Sequence, residues 1–401
     1  MDTISGRQLD HCYPASPDLA PSGPATVSVV LPCLNEESSV GACVAEAFGA
    51  LASSGYRGEV IVVDNNSTDG SAAVARRAGA RVVTQPVPGY GAALRAGFAG
   101  ARGEVIVMAD CDGTYPLARL SELVDGVVIG GIDLMIGARL ASANTHSMPF
   151  LHRYVGTPAL TRLVGLAGAD TTLTDSQSGF RSFRKATIDS LDLSSTGMEL
   201  ASEMLIRAGQ RGLTMAEVPL GYRERAGDSK LRTWTDGVRH FRLIMQLGPH
   251  VALWYPGLIL MLVSAFLLTA SLFYPEGLAV GEVLWQPVFA ASILAVVGVC
   301  ATTAGALLAA YGPGASESVR ARFEWVGAAR TARRLRFGSL ALVGVGIALD
   351  VSLFVRSVAG SPALGIQLQL ATVAQVALVV GSVLLMVATL QRVLLDRVRP
   401  A

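Results

Sequence analysis

Charged side chains are scarce in this sequence. Asp, Glu, Lys and Arg make up 16% of its 401 residues and hydrophobic residues make up 51%, whereas a soluble domain has about 25% charged residues. The deficit is uneven, because 251–311 and 338–391 hold almost no ionisable side chains and 26–240 holds many. This distribution predicts a soluble half joined to a membrane half. The net charge of +1, without a basic stripe, argues against a nucleic-acid partner.

Three further signatures are missing. The chain has no GxGxxG or P-loop lysine sequence, which argues against a dinucleotide or ATP enzyme. Residues 1–25 lack the apolar segment of a secretory signal, and their Pro, Ser and Ala content predicts a flexible N-terminal tail. The cysteines form no CxxC pair and have no zinc-site spacing, so we expect unpaired thiols in a reducing compartment. They are Cys12, Cys33, Cys43, Cys111 and Cys300.

Long apolar segments occupy the C-terminal part of the chain. A helix needs about 20 apolar residues to cross a bilayer, and four segments meet this length. They are Val251–Tyr274, Leu284–Tyr311, Gly338–Val358 and Leu368–Leu395. We therefore predict a four-helix transmembrane domain at 251–397, in which Asp350 has a structural role rather than a role in transport.

The distribution of arginine predicts the orientation of these helices. Arginines cluster before the first segment, between the second and third, and after the fourth, whereas 275–283 contains none. Cytoplasmic loops are enriched in Lys and Arg. We therefore predict a multi-pass protein of the cell membrane whose N-terminal domain and C-terminus lie in the cytoplasm.

Residues 232–250, just before the first crossing, combine apolar residues near helical spacing with basic residues. The apolar ones include Trp234, Val238, Phe241 and Met245, and the intervening polar ones are Arg239, His240 and Arg242. This pattern predicts an interfacial amphipathic helix lying on the bilayer surface. The alternative is an ordinary helix packed on the soluble domain.

Short apolar runs recur through residues 26–231. They predict strands at Val27–Leu31, Glu59–Val63, Arg81–Thr84, Glu104–Met108 and Leu134–Gly137. Helical stretches separate the runs, an alternation that predicts parallel βαβ units in an α/β domain. Ligands of such sheets bind beyond the carboxyl ends of the strands, where the polar motifs of this sequence fall.

One of these motifs is Asp110-Cys111-Asp112, a pattern that also recurs by chance in loops. Two carboxylates one residue apart at the end of a strand can converge on a divalent cation, and hard oxygen ligands suit Mg²⁺ or Mn²⁺. On this triplet alone a solvated turn, with Gly113 as the turn glycine, is the favoured interpretation. The Asn, Ser and Thr residues after Asp64 can likewise bind a ribose or form a turn.

Nine motifs in order resemble those of glycosyltransferase family 2, and more closely the dolichyl- and polyprenyl-phosphate mannose and glucose synthases. The resemblance covers about Val27 to Leu247. Its motifs include LPCLNEE (31–37), VVDNNSTDGS (62–71), GYGAALRAGF (89–98), ADCDGTYP (109–116), DSQSGFRSFRK (175–185) and EVPLGYRERAGDSKL (217–231). The resemblance implies a GT-A, Rossmann-like domain at 26–231.

The resemblance also implies roles for individual residues at the donor site. Pro32 and Glu36 match the first nucleotide-binding loop, and Asp64 matches the acid that contacts the nucleoside. Asp110 and Asp112 match the site of the metal and the donor diphosphate.

Two residues depart from the family pattern at this site. Thr114 stands where the mannose synthases have a glutamine, and its hydroxyl is a poorer third ligand for the metal. Asn65 replaces the second acid of the usual Asp-Asp pair. Both changes weaken the case for GDP-mannose as the donor.

The acceptor side is matched by basic residues that the family uses around the two substrate phosphates. These residues are Arg139, Arg153, Arg225 and Lys230. In addition, Gln177 and Ser178 match a loop near the acceptor and the sugar.

The resulting expectation is inverting, metal-dependent transfer of a hexose from a nucleotide-sugar of the UDP-glucose or GDP-mannose type to a polyprenyl phosphate. The residues expected to act in catalysis are Asp112, Arg139, Arg153 and Arg225. Alternatives are a different acceptor, an inactive transferase-like scaffold, and a processive synthase, against which the absence of a QxxRW-like motif argues. The additional helices also allow a homo-oligomer.

Overall fold

The computed structural model describes residues 26–139, 154, 156–169, 172–223, 233–280, 283–312, 315–359 and 366–398. The predicted tail at 1–25 and the candidate residues Arg153, Arg225 and Lys230 lie outside this part of the chain. The chain divides into two compact units between Leu247 and Gly248.

The first unit is built on a mixed seven-stranded sheet flanked by helices. Its strands are β1 (Thr26–Cys33), β2 (Arg57–Asp64), β3 (Arg81–Thr84), β4 (Val105–Met108), β5 (Leu134–Ala138), β6 (Arg181–Arg184) and β7 (Met215–Pro219). Its helices are α1 (Val40–Ser54), α2 (Ser71–Arg77), α3 (Tyr90–Gly100), α4 (Leu120–Val128), α5 (Thr157–Ala167), α6 (Lys185–Ser190), α7 (Leu200–Gln210) and α8 (Thr233–Leu247).

The strand order is β3-β2-β1-β4-β6-β5-β7. Strands β1 to β4 pair in parallel, and β6 runs antiparallel to both of its neighbours, β4 and β5. The expectation of parallel βαβ units therefore holds for the first half of the sheet and is wrong at β6. The sequence did not predict β6 or β7, because neither is a run of apolar residues: β6 reads Arg-Ser-Phe-Arg.

Part of the core of this unit lies between the sheet and α1. Val29 and Leu31 of β1 belong to one buried cluster with Val44 and Leu51 of α1. Burying each such side chain contributes about 1.5–3 kcal/mol. The packing holds the carboxyl ends of β2, β1 and β4 side by side, since these three strands are neighbours in the sheet.

Helix α8 packs one face on α7 and α5. Ile244 is fully buried, and His240 is buried with its Nδ1 atom 3.0 Å from Ser202 Oγ. Burial lowers the pKa of His240. Val238 and Phe241 remain 50% and 56% exposed, so the helix is anchored on the soluble domain and still presents apolar side chains outward.

The second unit is dominated by four long apolar helices. They are α9 (Pro249–Phe273), α10 (Pro287–Tyr311), α13 (Ala329–Val358) and α14 (Gln367–Val398), and all four are long and apolar enough to span a membrane. The smaller elements are β8 (Leu278–Val280), β9 (Val283–Trp285), α11 (Glu317–Arg322) and α12 (Glu324–Gly327).

Two details of this unit differ from the sequence-based expectation. The link at 275–283 contributes to a β8–β9 hairpin. The arginine-rich stretch before the third crossing is helical, because α13 begins at Ala329 and carries Arg330, Arg333, Arg334 and Arg336 in its first turns.

Helices α9 and α10 approach each other closely at glycines. A Cβ atom on Gly257 would lie 2.6 Å from the backbone nitrogen of Thr302, and one on Gly305 would lie 2.5 Å from that of Trp254. Small residues at such crossings are typical of helix pairs in membranes, where close packing drives association.

Candidate active site

A cavity of about 400 Å³ lies at the carboxyl ends of β1, β2 and β4. Its walls come from the loops after these strands, the start of α3, the turn before α7, and α8. Four residues predicted from the sequence line it: Pro32, Glu36, Asp110 and Asp112. The fold therefore brings together the first nucleotide-binding loop and both acids of the expected metal site.

Neighbouring hydroxyls orient the two acids. Tyr90 Oη donates a hydrogen bond to Asp110 Oδ1 at 2.7 Å, and Thr114 Oγ1 donates one to Asp112 Oδ1 at 2.6 Å. The backbone N–H of Thr114 also donates to Asp112 Oδ1 at 3.1 Å. Between the acids and Thr114, Gly113 has a φ of 80°, which favours glycine. Thr114 is fully buried and does not line the cavity, so in this structure its hydroxyl supports Asp112.

The environment of Tyr90 keeps its phenol protonated. Burial raises the pKa of Tyr90 well above its usual range, and the Asp110 carboxylate raises it further. The phenol therefore remains a donor at neutral pH. Gly179 lies against this pair, where a Cβ atom would be 2.9 Å from Tyr90 Oη and 3.1 Å from Asp110 Oδ2. Only glycine fits here without displacing one of the two side chains.

Asn65 explains one departure from the family pattern. Its Nδ2 atom donates to the carbonyl oxygens of Gln85 and Val87 at 2.8 and 2.7 Å. Its Oδ1 atom accepts from the Gly89 N–H at 2.7 Å. An aspartate cannot donate the first two bonds, so the amide is required to hold this loop against the cavity.

Glu36 and Asp64 occupy different positions relative to the cavity. Glu36 lines it and is 9% exposed, with its backbone N–H donating to Ser71 Oγ at 2.8 Å. Asp64 ends β2 and accepts from the Ser67 N–H at 3.2 Å. Asp64 is not part of the cavity lining, which at this point consists of Asn65 and Asn66.

Arg139 forms a buried ion pair with Asp175. Arg139 Nε and Nη2 donate to the two carboxylate oxygens at 2.7 and 2.8 Å, and the Arg139 guanidinium lies 5.6 Å from the ring centre of Tyr222. Burial alone would raise the pKa of Asp175, but the guanidinium more than offsets this and the pKa lies below its usual range. Arg139 is not part of the cavity lining.

The segment before β6 uses its polar side chains internally. Gln177 Nε2 donates to Ser202 Oγ at 3.1 Å, and Ser178 Oγ donates to the Gly137 carbonyl at 2.6 Å. The fully buried Arg181 donates to the carbonyl oxygens of Ser176, Ser178 and Ala201, at 2.8 to 2.9 Å. Burial lowers its pKa to about 10. Neither Gln177 nor Ser178 lines the cavity.

Sequence reasoning missed the part of the cavity that α8 supplies. Asp236 and Arg239 of this helix line the cavity beside Gly197 and Met198. The sequence indicated that α8 is amphipathic, but no pattern in it shows which of its polar residues face the cavity of its own domain.

The donor set at Asp110 and Asp112 fits a hard divalent cation. Both are carboxylates in one cavity, and Mg²⁺ is usually bound by one or two carboxylates that leave positions for substrate phosphates and water. Within the described ranges, no cluster of three or more His, Cys, Asp or Glu side chains forms a closed metal site. The two acids therefore suit a metal that is completed by the substrate.

Comparison with known proteins identifies the family. The model of glycosyl transferase family 2 matches residues 28–187. The low-salt glycan biosynthesis hexosyltransferase Agl6 of Haloferax volcanii is 37% identical over 259 residues, covering 64% of this chain and 61% of that protein. The dolichyl-phosphate hexose transferase of the same organism is 37% identical over 213 residues, covering 53% of this chain and 89% of that protein.

Among solved structures, the glucosyl-3-phosphoglycerate synthase of Mycobacterium tuberculosis in complex with Mn²⁺, uridine diphosphate and glucosyl-3-phosphoglycerate is similar to this chain. The identity is 26% and the TM-score is 0.43, covering 57% of this chain and 79% of that one. From the family model and the two archaeal relatives we conclude that this chain belongs to glycosyltransferase family 2 and is a glycosyltransferase with helices able to span a membrane.

Proposed function

We propose that this protein transfers a hexose from a nucleotide-sugar to a polyprenyl phosphate, with inversion at the sugar carbon. The observation that carries the proposal is the cavity that joins Glu36, Asp110 and Asp112 in a chain with four membrane-length apolar helices. The relative named as a dolichyl-phosphate hexose transferase, 89% of which this chain covers, supports a polyprenyl phosphate as the acceptor.

Asp110 and Asp112 are the residues that would hold the divalent cation, Mg²⁺ or Mn²⁺. When bound, such an ion offsets the negative charge that grows on a departing nucleoside diphosphate. The contribution of the protein is to orient the two carboxylates. Tyr90 and Thr114 do so through the hydrogen bonds to Asp110 Oδ1 and Asp112 Oδ1.

The acceptor chemistry explains why the cavity needs no strong general base. A phosphate oxygen is already ionised at neutral pH, so it can attack the sugar carbon without first losing a proton. The demand on the protein is instead to hold two polyanions together, a task for which arginine is suited by its planar set of donors. Arg153, Arg225 and Lys230 remain the sequence-based candidates for this task.

The membrane half fits a lipid acceptor. A polyprenyl chain needs an apolar environment, and the apolar helices α9, α10, α13 and α14 supply one in the same polypeptide. The distribution of arginine supports a catalytic unit on the cytoplasmic face of the cell membrane.

The test is a transfer assay with the detergent-solubilised full chain. Radiolabelled UDP-glucose, GDP-mannose and other donors are each incubated with a short-chain polyprenyl phosphate and Mg²⁺ or Mn²⁺, and label is counted in the organic phase. A parallel series offers free sugars as acceptors. We expect label in the lipid from one donor and its loss with EDTA.

The site assignment is tested by Asp112→Asn, which removes the charge and preserves the shape. We expect the rate of transfer to fall by about 10²-fold or more, because the substitution weakens the stabilisation of the leaving group. Asp189→Asn is the matched control, because that side chain is 56% exposed on α6 and should leave the rate unchanged. Near-normal transfer by Asp112→Asn would show that the metal site is wrongly assigned, and label only in free sugars would refute the lipid acceptor.

A further inference from the structure

Helix α8 delivers a basic side chain to the cavity. Arg239 and Asp236, one turn apart on the helix, line the cavity that contains Asp110 and Asp112. One Nη atom of Arg239 lies 3.0 Å from the position that a Cβ atom would take on Gly197. A larger residue at this position would meet Glu199 Oε2 first and then the guanidinium, so Gly197 leaves room for both side chains.

The charges around the cavity make this arginine unusual. Within the described part of the lining there are four carboxylates, those of Glu36, Asp110, Asp112 and Asp236, and Arg239 is the single cation. Among the described residues Arg239 forms no ion pair, and its guanidinium donates no hydrogen bond to them. The proposed substrates are polyanions, and four carboxylates around their site would repel them. An unpaired cation in the cavity would offset part of this repulsion.

Arg139 differs from Arg239 in its pairing and in its position relative to the cavity. Its guanidinium is committed to Asp175 through two hydrogen bonds, and it does not line the cavity. Arg239 is exposed and keeps its donors available at the cavity wall. Arg239, which the sequence motifs did not identify, is therefore better placed than Arg139 to contact a substrate.

We propose that Arg239 binds a phosphate group of a substrate in this cavity. The inference rests on the proposed function, which supplies two sources of that chemistry: the diphosphate of the donor and the monophosphate of the lipid acceptor. In either case α8 is a wall of the active site. The helix also exposes Val238 and Phe241 next to Arg239, so a single element carries both the phosphate ligand and an outward apolar surface.

Binding measured without turnover separates the two sources. Calorimetry on the detergent-solubilised full chain with Mg²⁺ compares UDP and GDP with their nucleosides, and a short-chain polyprenyl phosphate with the corresponding polyprenol. Arg239→Gln should weaken binding of one phosphate-bearing ligand by about tenfold or more, as expected for loss of a charge-assisted hydrogen bond. Binding of the matched ligand without phosphate should not change, and Arg239→Lys should recover part of the affinity.

Arg242→Gln is the matched control. Arg242 is an exposed arginine on the same helix that does not line the cavity. Equal losses in the two variants would overturn the inference, since they would reflect the general charge of α8. So would unchanged affinity of Arg239→Gln for every phosphate ligand, provided that its melting temperature matches that of the wild type.

The outcomes also separate the inference from the proposed function. If the wild type binds a nucleoside diphosphate but no polyprenyl phosphate, the lipid acceptor is refuted and Arg239 is judged on the nucleotide alone. If the wild type transfers sugar to the lipid and Arg239→Gln binds both ligands normally, the function stands and the inference fails. If the wild type binds neither ligand, both are refuted.

Discussion

Replacing Asn65 by aspartate tests how the cavity wall is held. The substitution keeps the shape of the side chain but removes the two hydrogen bonds that Nδ2 donates to the carbonyl oxygens of Gln85 and Val87. Each bond contributes about 0.5–1.5 kcal/mol, and leaving a buried acceptor unpaired costs about 1–3 kcal/mol. Asn65 is only 5% exposed. We therefore expect a loss of about 2–4 kcal/mol in the free energy of unfolding.

The assay is thermal unfolding of the detergent-solubilised chain, in which this loss corresponds to a fall of roughly 5–12 °C in melting temperature. Lowering the pH should reduce the deficit. Burial beside carbonyl oxygens raises the folded-state pKa of the introduced carboxyl above its unfolded value, so protonation favours the folded state as the pH falls. The loop at 85–89 borders the cavity, so affinity for the nucleotide should fall as well.

Asn66→Asp is the matched control for this prediction. Asn66 is exposed and its Nδ2 atom donates to the Pro86 carbonyl at 3.1 Å, so we expect a change within about 0.5 kcal/mol. Equal melting temperatures for the variants at 65 and 66 would refute the assignment of this role to the Asn65 amide.

Two further substitutions test other parts of the site. Asp175→Asn leaves the guanidinium of Arg139 buried without a counter-charge, which should cost about 3–5 kcal/mol. Because the folded pKa of Asp175 lies below its ordinary value of about 3.9, its pair stabilises the protein above that pH and is lost as the pH falls through the folded pKa. An acid titration of the melting temperature should therefore be steeper for the wild type than for the variant, and equal slopes would contradict this. Gly179→Ala places a Cβ atom 3.1 Å from Asp110 Oδ2, so we expect a higher metal concentration at half-maximal transfer. Gly49→Ala, whose Cβ meets nothing within 4 Å, should leave that concentration unchanged, and equal metal requirements would contradict the prediction.

Most of the fold follows from local sequence patterns. Strands β1 to β5 and the four long helices were all predicted, because each is an apolar run whose length matches a buried strand or a membrane crossing. Strand β6 was not predicted. The residues at its two ends, Arg181 and Arg184, are charged, and its extended conformation depends on pairing with β4 and β5 on either side.

The part of the candidate site that lies at the strand ends also follows from local sequence patterns. Motifs placed Pro32, Glu36, Asp110 and Asp112 at the ends of parallel strands, and the sheet brings them to one cavity. The sequence predicts this placement because parallel strands have their carboxyl ends at the same edge of the sheet.

The sequence by itself determined the family, the alternating elements of the soluble domain, the membrane-length helices and the acids at the strand ends, since these depend on residue order and local periodicity. Only the tertiary structure decided which charges are paired. It joined Arg139 to Asp175, residues far apart in the chain, and it brought Arg239 of α8 to the cavity. The physical reason is that an ion pair or a cavity wall depends on distances in space between distant segments, and no local pattern encodes these distances.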